Sequence, residues 1–528
     1  MQCYIAAFFI IILKREAVSK IKKVLFIKNA AILTATTLLL RVAGIFFKVF
    51  LADKLNSEGV GLYHLVFSVY VLAATFATSG ICTAVTRLIT DEFAVSNYKA
   101  AKNILKKATL LTLAIAFVSM GVIFMFAEPI AVLFLGDARA TLSLKIMCLS
   151  LPFMGLSSCF RGYFIASRKT LPPSTAQIIE QITRITVVVF LLVNFSDKSL
   201  EFSCAAVIIG DTVAETLSCL ILYIMYRCNF AKLSANRGTQ GTPLKVTKKL
   251  LRISVPITSG RYLNSLLRTV ENILVPKALQ KSRLSSSAAL SVFGNIKGMA
   301  LPILLFPSSL LNAVSTLLIP EMSEATAKHQ TATIQRVTDK LMCITSYFGF
   351  IIGGVFLCVG NELGSIIYKN NQVGALICAL APLVPVMYID SVADGMLKGL
   401  DQQLICFRNC ILDSSVRIIL IMLFVSKFAI SGFIGIMYFS NLLTASLNTY
   451  RLLKVAKLKI KFKKWFLKPL ACSAAACGAT YILAKYISIL NVYVKTPLFI
   501  VLSILLYAVF MGFLKTDNVK NLKYLKTK

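Results

Sequence analysis

Apolar runs of about 20 residues recur along the chain, separated by short polar stretches rich in lysine and arginine. A run of that length, coiled as one α-helix, crosses the roughly 30 Å hydrocarbon core of a bilayer. The strands of a membrane β-barrel would instead alternate over segments of about ten residues. The pattern predicts an all-α polytopic membrane protein with about fourteen transmembrane helices. The predicted spans are residues 26–52, 61–84, 104–127, 141–165, 174–195, 202–226, 250–276, 287–319, 338–360, 372–399, 404–428, 430–450, 466–490 and 494–514.

Composition agrees with a membrane protein, since 57% of the 528 residues are hydrophobic and only 15% are charged. A formal net charge of +35 is also typical of nucleic-acid-binding proteins. Here, however, the basic residues cluster in alternate loops, as the positive-inside rule describes for cytoplasmic loops. Examples are residues 99–107 and the run 454–468. We therefore expect cytoplasmic N- and C-termini and no nucleic-acid partner.

Boundaries between parts of the chain follow from these loops. The apolar segment Tyr4–Leu13 is too short to span a bilayer, so residues 1–24 are predicted to be an N-terminal extension, either interfacial or not a genuine part of the protein. We expect an N-terminal lobe of six helices at 25–227, a basic cytoplasmic linker at 228–249 and a second six-helix lobe at 250–452. Residues 453–528 would add two helices and a basic cytoplasmic tail.

Cations inside the spans are the first candidate site. Arg41 and Lys48 lie seven residues apart in the first span, and Arg261 and Arg268 repeat this spacing in the seventh. Seven residues are two helical turns, so each pair shares one helix face. The match predicts two lobes related by a pseudo-twofold axis along the membrane normal. With Lys297 in the eighth span, these cations are predicted to line a cavity that binds an anion. The alternative is that they pair with carboxylates on other helices.

Acidic residues inside the spans are the second candidate site. The pairs Asp211 with Glu215 and Asp390 with Asp394 each lie four residues apart on one helix face. Two like charges in a medium of low dielectric favour binding of a proton or Na⁺, so these acids are candidates for ion coupling. The alternative is that they neutralise the cations. Two further spacings predict internal ion pairs, Glu180 with Arg184 and Asp413 with Arg417.

Prolines inside two spans predict hinges, because proline removes a backbone donor and kinks a helix. They are Pro302, Pro307, Pro382 and Pro385. The cysteines and the two histidines show no spacing typical of a metal site. We therefore expect no metal, no cofactor and no catalytic residue.

Several segments resemble the stage V sporulation protein B family. They are LLLRVAG followed by EGVGLY, PPSTAQIIEQITRI at Pro172–Ile185, the stretch Gly294–Ala325, and MLKGLDQQ at Met396–Gln403. The resemblance extends from about residue 22 to the C-terminus. That family belongs to the polysaccharide transporter branch of the multidrug/oligosaccharidyl-lipid/polysaccharide exporter superfamily, beside the lipid II flippase.

The resemblance implies twelve helices plus two, a V-shaped two-lobe bundle and a cationic central cavity. It also implies a flippase of the bacterial plasma membrane that moves an undecaprenyl-diphosphate-linked glycan or peptidoglycan precursor to the outer leaflet by alternating access. Spore cortex or cell-wall polysaccharide synthesis would be the setting. Arg41 matches the arginine of the family's helix 1 motif, Lys48 lies near its second cation, and Lys297 matches a basic position on helix 8. The second span lacks the family's mid-membrane cation.

Partners implied by the resemblance are the lipid-linked precursor, membrane lipids and cell-wall synthases, with the protein a monomer. Energy would come from Na⁺, H⁺ or the membrane potential. A multidrug or cation antiporter of the same superfamily is the alternative function, although such a protein would need an acidic, aromatic pocket. A membrane-embedded polysaccharide-synthesis enzyme is a third candidate, but no sizeable extramembrane loop is present to carry its chemistry.

Overall fold

A computed structural model describes residues 2–194, 199–234, 246–486 and 491–513. Within these ranges, side chains are described except at 2–35, 38, 79, 231–234, 312–321, 484–486 and 513. All regular elements in these ranges are helices, and no strand occurs in them. The predicted all-α class is confirmed. Part of the predicted linker, residues 235–245, and most of the predicted tail, residues 514–528, lie outside the described residues.

The helices of the first half begin with a long bent element and end with one that crosses into the second half of the chain. They are α1 (Gln2–Ala94), α2 (Tyr98–Met125), α3 (Ala140–Cys148), α4 (Leu151–Ala166), α5 (Leu171–Asn194), α6 (Leu200–Ser234) and α7 (Val246–Lys281). A short π-helical stretch, Ile130–Leu135, lies between α2 and α3.

The second half contains eight further helices. They are α8 (Ser286–Leu305), α9 (Ser308–Ala327), α10 (Thr331–Tyr368), α11 (Asn371–Gly399), α12 (Gln403–Leu420), α13 (Ser426–Ala456), α14 (Lys468–Tyr486) and α15 (Val492–Phe513). Side-chain caps fix several starts. At α11, for example, the Asn370 carboxamide accepts hydrogen bonds from the backbone N–H groups of Gln372 and Val373, which have no partner inside the helix.

Ten of the described helices are long and apolar enough to cross a membrane, or eleven when α3 and α4, bent by 42° at their junction, count as one broken span. Two of the ten are long enough for two crossings each. One is the 56-residue part of α1 from Leu39 to Ala94. The other is the 54-residue stretch Gln403–Ala456, in which the π-helical residues Ile421–Val425 join α12 to α13. Each is interrupted by one residue of non-helical backbone, Asn56 in the first and Ala429 in the second. Two crossings from each of these two, one from each of the other eight, one from α3 and α4 together and one from α7 make the predicted fourteen. Helix α7 is 36 residues long but carries the cations.

The chain forms two compact units, and their boundaries fall inside helices. Unit 1 comprises residues 1–44 and 66–266, and unit 2 comprises residues 45–65 and 267–528. The bend of α1 around Asn56 therefore belongs to unit 2, whereas the first part of α7 belongs to unit 1. The predicted lobes, 25–227 and 250–452, were defined by the sequence pattern and not by compactness, and their boundaries stay predictions.

Small residues let the bend of α1 pack closely against α8 within unit 2. A Cβ atom on Gly61 would lie 2.2 Å from the carbonyl oxygen of Leu290, and one on Gly294 would lie 2.1 Å from that of Ser57. Only glycine permits backbones to approach so closely, which is how helices commonly associate in membranes. The contact fixes residues 57–64 of α1 beside the part of α8 that carries Lys297.

Candidate functional site

The five predicted anion-binding cations are divided between the units. Arg41 and Arg261 belong to unit 1, and Lys48, Arg268 and Lys297 belong to unit 2. All but Lys297 are exposed, and Lys297 is partly buried. Among the described residues, no carboxylate forms an ion pair with Arg41, Lys48 or Arg268. One cavity shared by all five cations stays a prediction.

In unit 2, two lysines lie near a histidine, His64, that the sequence prediction did not name. His64 of α1 meets α8, because a Cβ atom on Gly298 would lie 3.1 Å from its ring atom Cδ2. In the part of the chain that the structure describes, the charges of Lys48 and Lys297 act on this ring. No spacing in the sequence connects these residues, because the bend at Asn56 and the contact with α8 bring them together.

Lys297 takes part in a buried ionic network of unit 2. Its Nζ lies 3.0 Å from the Glu271 carboxylate of α7, which is also 3.2 Å from Nη1 of Arg417 on α12. Arg417 also pairs with Asp413, which confirms the predicted pair, and its Nε donates to Ser440 Oγ at 2.8 Å. The carboxyl groups of Glu271 and Asp413 are almost fully buried. The structure thus shows the alternative for Lys297, pairing across helices, while its contact with a substrate stays a prediction.

Unit 1 has its own ionic network, formed by α4, α5 and α6. Glu180 pairs with Arg184 at 3.1 Å, as predicted, and also with Arg161 at 3.0 Å. Nε of Arg184 lies 2.6 Å from the Asp211 carboxylate. Arg161 was not among the predicted residues, although its position inside the span 141–165 was a usable signal.

Each acidic pair predicted for ion coupling contains one residue that pairs with a cation. Asp211 pairs with Arg184, and Asp394 pairs with Lys398. The other member of each pair, Glu215 or Asp390, forms no ion pair with a described cation.

Asp390 ends a buried chain of amides in unit 2. Its carboxylate accepts a hydrogen bond of 2.8 Å from Asn448, whose carbonyl oxygen accepts one of 2.9 Å from Asn409. An amide chain satisfies a carboxyl group in either protonation state, because its donor can turn to a charged or a neutral oxygen. Ion coupling at Asp390 stays a prediction.

The four predicted hinge prolines all lie at breaks in regular helix. Pro302 follows the π-helical stretch Gly294–Ala300 of α8, and Pro307 precedes the first residue of α9. Pro382 lies in a 3₁₀ turn and Pro385 in the following first turn, both within α11. Irregular backbone is tolerated at membrane depth where protein or a wet cavity surrounds it. Whether these breaks act as hinges stays a prediction.

Comparison with solved structures defines the class of protein. The chain matches the lipid II flippase MurJ in an inward closed conformation, with a TM-score of 0.68 and 17% identity over 92% of this chain and 98% of that one. It also matches an inward-facing multidrug resistance MATE family transporter of the MOP superfamily, with a TM-score of 0.63 and 10% identity over 80% and 96% of the two chains. The protein is a multi-pass membrane protein with the fold of the MOP-superfamily transporters.

Sequence comparison then gives the family. The profile of the polysaccharide biosynthesis protein family matches residues 26–326, more than half of the chain. Stage V sporulation protein B of Bacillus subtilis (strain 168) is 24% identical over 448 residues, covering 84% of this chain and 86% of the relative. The chain therefore belongs to the polysaccharide biosynthesis protein family, and the resemblance to stage V sporulation protein B is confirmed.

Proposed function

We propose that this protein is a flippase that moves an undecaprenyl-diphosphate-linked glycan or peptidoglycan precursor to the outer leaflet by alternating access. It would act in the bacterial plasma membrane, with cytoplasmic N- and C-termini, during spore cortex or cell-wall polysaccharide synthesis. The basic loops support this orientation. The resemblance of the chain to a lipid II flippase and to a sporulation protein supports the substrate class.

The cations inside the membrane spans are the observation on which the proposal rests. A lysine or arginine at the centre of a bilayer costs at least about 2.5 kcal/mol, so it should face protein or a wet cavity. Arg41, Lys48 and Arg268 are exposed and form no ion pair with a described carboxylate. Such side chains are available to an anion that enters a wet cavity.

A diphosphate suits these cations. The arginine guanidinium group forms two parallel, charge-assisted hydrogen bonds to phosphate oxygens, and lysine acts as a point charge. Two phosphates need more than one such contact, which cations from α1, α7 and α8 would supply. Since the proposed reaction is transport, no side chain needs to make or break a bond in the substrate, and no enzyme activity is expected.

A multidrug or cation antiporter is the second candidate, favoured by the fold shared with the MATE family transporter. The exposed Lys48, which forms no ion pair with a described carboxylate, disfavours it, because its positive charge would repel a cationic drug. The acids without a cation, Glu215 and Asp390, leave open which ion would be coupled.

Depletion of this protein in its host cell tests the proposal. We expect the lipid-linked precursor to accumulate in the inner leaflet, measured as the fraction of precursor inaccessible to a reagent added outside the cell. The accessible fraction should recover on re-expression. The control is depletion of an enzyme that synthesises the precursor, which should lower the total amount instead. An unchanged inaccessible fraction in depleted cells would contradict the proposal.

A further inference from the structure

Glu215 is a buried carboxyl group without a described partner. It lies on α6 in unit 1, and only 7% of its surface is exposed. Among the described residues, no hydrogen bond and no ion pair reaches it. Asp211, one turn earlier on the same helix, pairs instead with Arg184. An ionised carboxylate buried without a partner is far costlier than its neutral form, which favours the protonated acid at Glu215.

Charged groups from three helices surround Glu215, two of them carboxyl groups and two of them guanidinium groups. The groups that act on it are Glu180 and Arg184 from α5, Arg161 from α4 and Asp211 from α6 itself. The charge of Glu215 also acts electrostatically on the titratable side chains of Tyr70 and Cys219. Lys145 of α3 is directed elsewhere, with its Nζ 5.9 Å from the ring centroid of Phe124.

The network is electrically neutral only when one of its carboxyl groups is protonated. Among the described groups that act on Glu215, two arginines face three carboxyl groups when Glu215 is included, so these five side chains carry one excess negative charge when all three acids are ionised. Both arginines already contact Glu180, and Arg184 also contacts Asp211. A single proton makes the cluster neutral, and Glu215 is the carboxyl group that loses no ion pair by accepting it.

The guanidinium group of Arg161 has one nitrogen available to a second carboxylate. Its Nη2 is bound to Glu180, whereas its Nε is buried and has no hydrogen-bond partner in the described part of the chain. Buried donors without partners are rare, because each costs about 1–3 kcal/mol. An ionised Glu215 would attract this guanidinium group and could satisfy Nε.

We infer that Glu215 is a proton-binding site of unit 1, and that release of its proton to water draws Arg161 from Glu180 towards Glu215. A proton fits this site better than a metal ion. Metal ions need several ligands, and the described residues contain no group of three His, Cys, Asp or Glu side chains able to hold one. Two guanidinium groups in the same cluster would also repel a metal ion. Proton binding stands without the proposed function, whereas coupling of this proton to transport rests on it.

Infrared spectroscopy of the purified full-length protein tests the site without any substrate. A protonated carboxyl group gives a carbonyl stretching band separate from that of a carboxylate. We expect the wild type to show this band at neutral pH and to lose it as the pH rises. Glu215→Gln should lose the component of the band that comes from Glu215, whereas the control Glu201→Gln, on the same helix, should retain the whole band. A band that persists unchanged in Glu215→Gln would overturn the inference.

Two further measurements keep the test decisive. Circular dichroism and gel filtration establish whether Glu215→Gln folds. If Glu215→Gln does not fold, Glu215→Asp is measured instead. This variant keeps a carboxyl group and should retain the band at a shifted frequency. Exchange of Na⁺ for K⁺ at constant pH should leave the band unchanged. Its loss in Na⁺ alone would show a sodium site instead and would overturn the inference. None of these outcomes depends on whether the protein transports a lipid-linked glycan.

Discussion

Replacing Arg41 with alanine is expected to lower transport about 10- to 100-fold while the protein remains folded. A hydrogen bond to a charged group contributes about 1.5–3 kcal/mol, and each 1.4 kcal/mol is a tenfold change in a rate or binding constant. The fold should survive because Arg41 is exposed and forms no ion pair with a described carboxylate. Complementation of depleted cells at matched expression measures the effect, and Arg261→Ala should act in the same direction.

Matched variants separate the role of the guanidinium group from that of charge. Arg41→Lys keeps the charge but loses the planar fork, so it should give intermediate activity. Arg87→Ala removes an exposed arginine elsewhere on α1 and should leave activity unchanged. Normal activity of both Arg41→Ala and Arg261→Ala at wild-type expression would show that these arginines do not bind the substrate.

Glu271→Leu is expected to have the largest effect on stability. Glu271 is buried and contacts both Lys297 and Arg417. Its loss removes the carboxylate that pairs with Lys297 and leaves Arg417 with Asp413 as its described carboxylate partner. Breaking a buried ion pair by removing one partner costs about 3–5 kcal/mol. The measurement is the apparent Tm of the purified protein, which should fall markedly.

Two variants show whether that loss comes from unpaired charge. Asp53→Asn breaks the exposed pair with Lys369 and should leave the apparent Tm almost unchanged, because exposed ion pairs contribute about 0–1 kcal/mol. The double variant Glu271→Leu with Lys297→Leu removes both charges and should recover part of the lost stability. If the double variant is less stable than Glu271→Leu, the charge of Lys297 is not the cause.

Local features of this fold could be predicted from the sequence, and contacts between distant helices could not. Runs of apolar residues predicted the spans because each one must cross the membrane by itself. The pairs Glu180 with Arg184 and Asp413 with Arg417 were predictable because four residues make one turn of a helix.

Pairs between helices depend on packing, which leaves no local signal. Glu271 and Arg417 are 146 residues apart in the chain, and the sequence offered several other carboxylates as partners. The bend at Asn56, a non-glycine residue with a φ of 57°, was likewise not visible in the hydropathy pattern. That bend brings His64 and Lys48 together and assigns residues 45–65 to unit 2.

Reconstitution of the purified protein into liposomes tests the central claim most directly. The measurement is the rate at which a fluorescent undecaprenyl-diphosphate glycan, placed in one leaflet, becomes accessible in the other under imposed proton, sodium or voltage gradients. The proposed function predicts that the wild type exceeds protein-free liposomes under at least one gradient, and that Arg41→Ala falls close to them. Equal rates for wild type and protein-free liposomes under every gradient would contradict it.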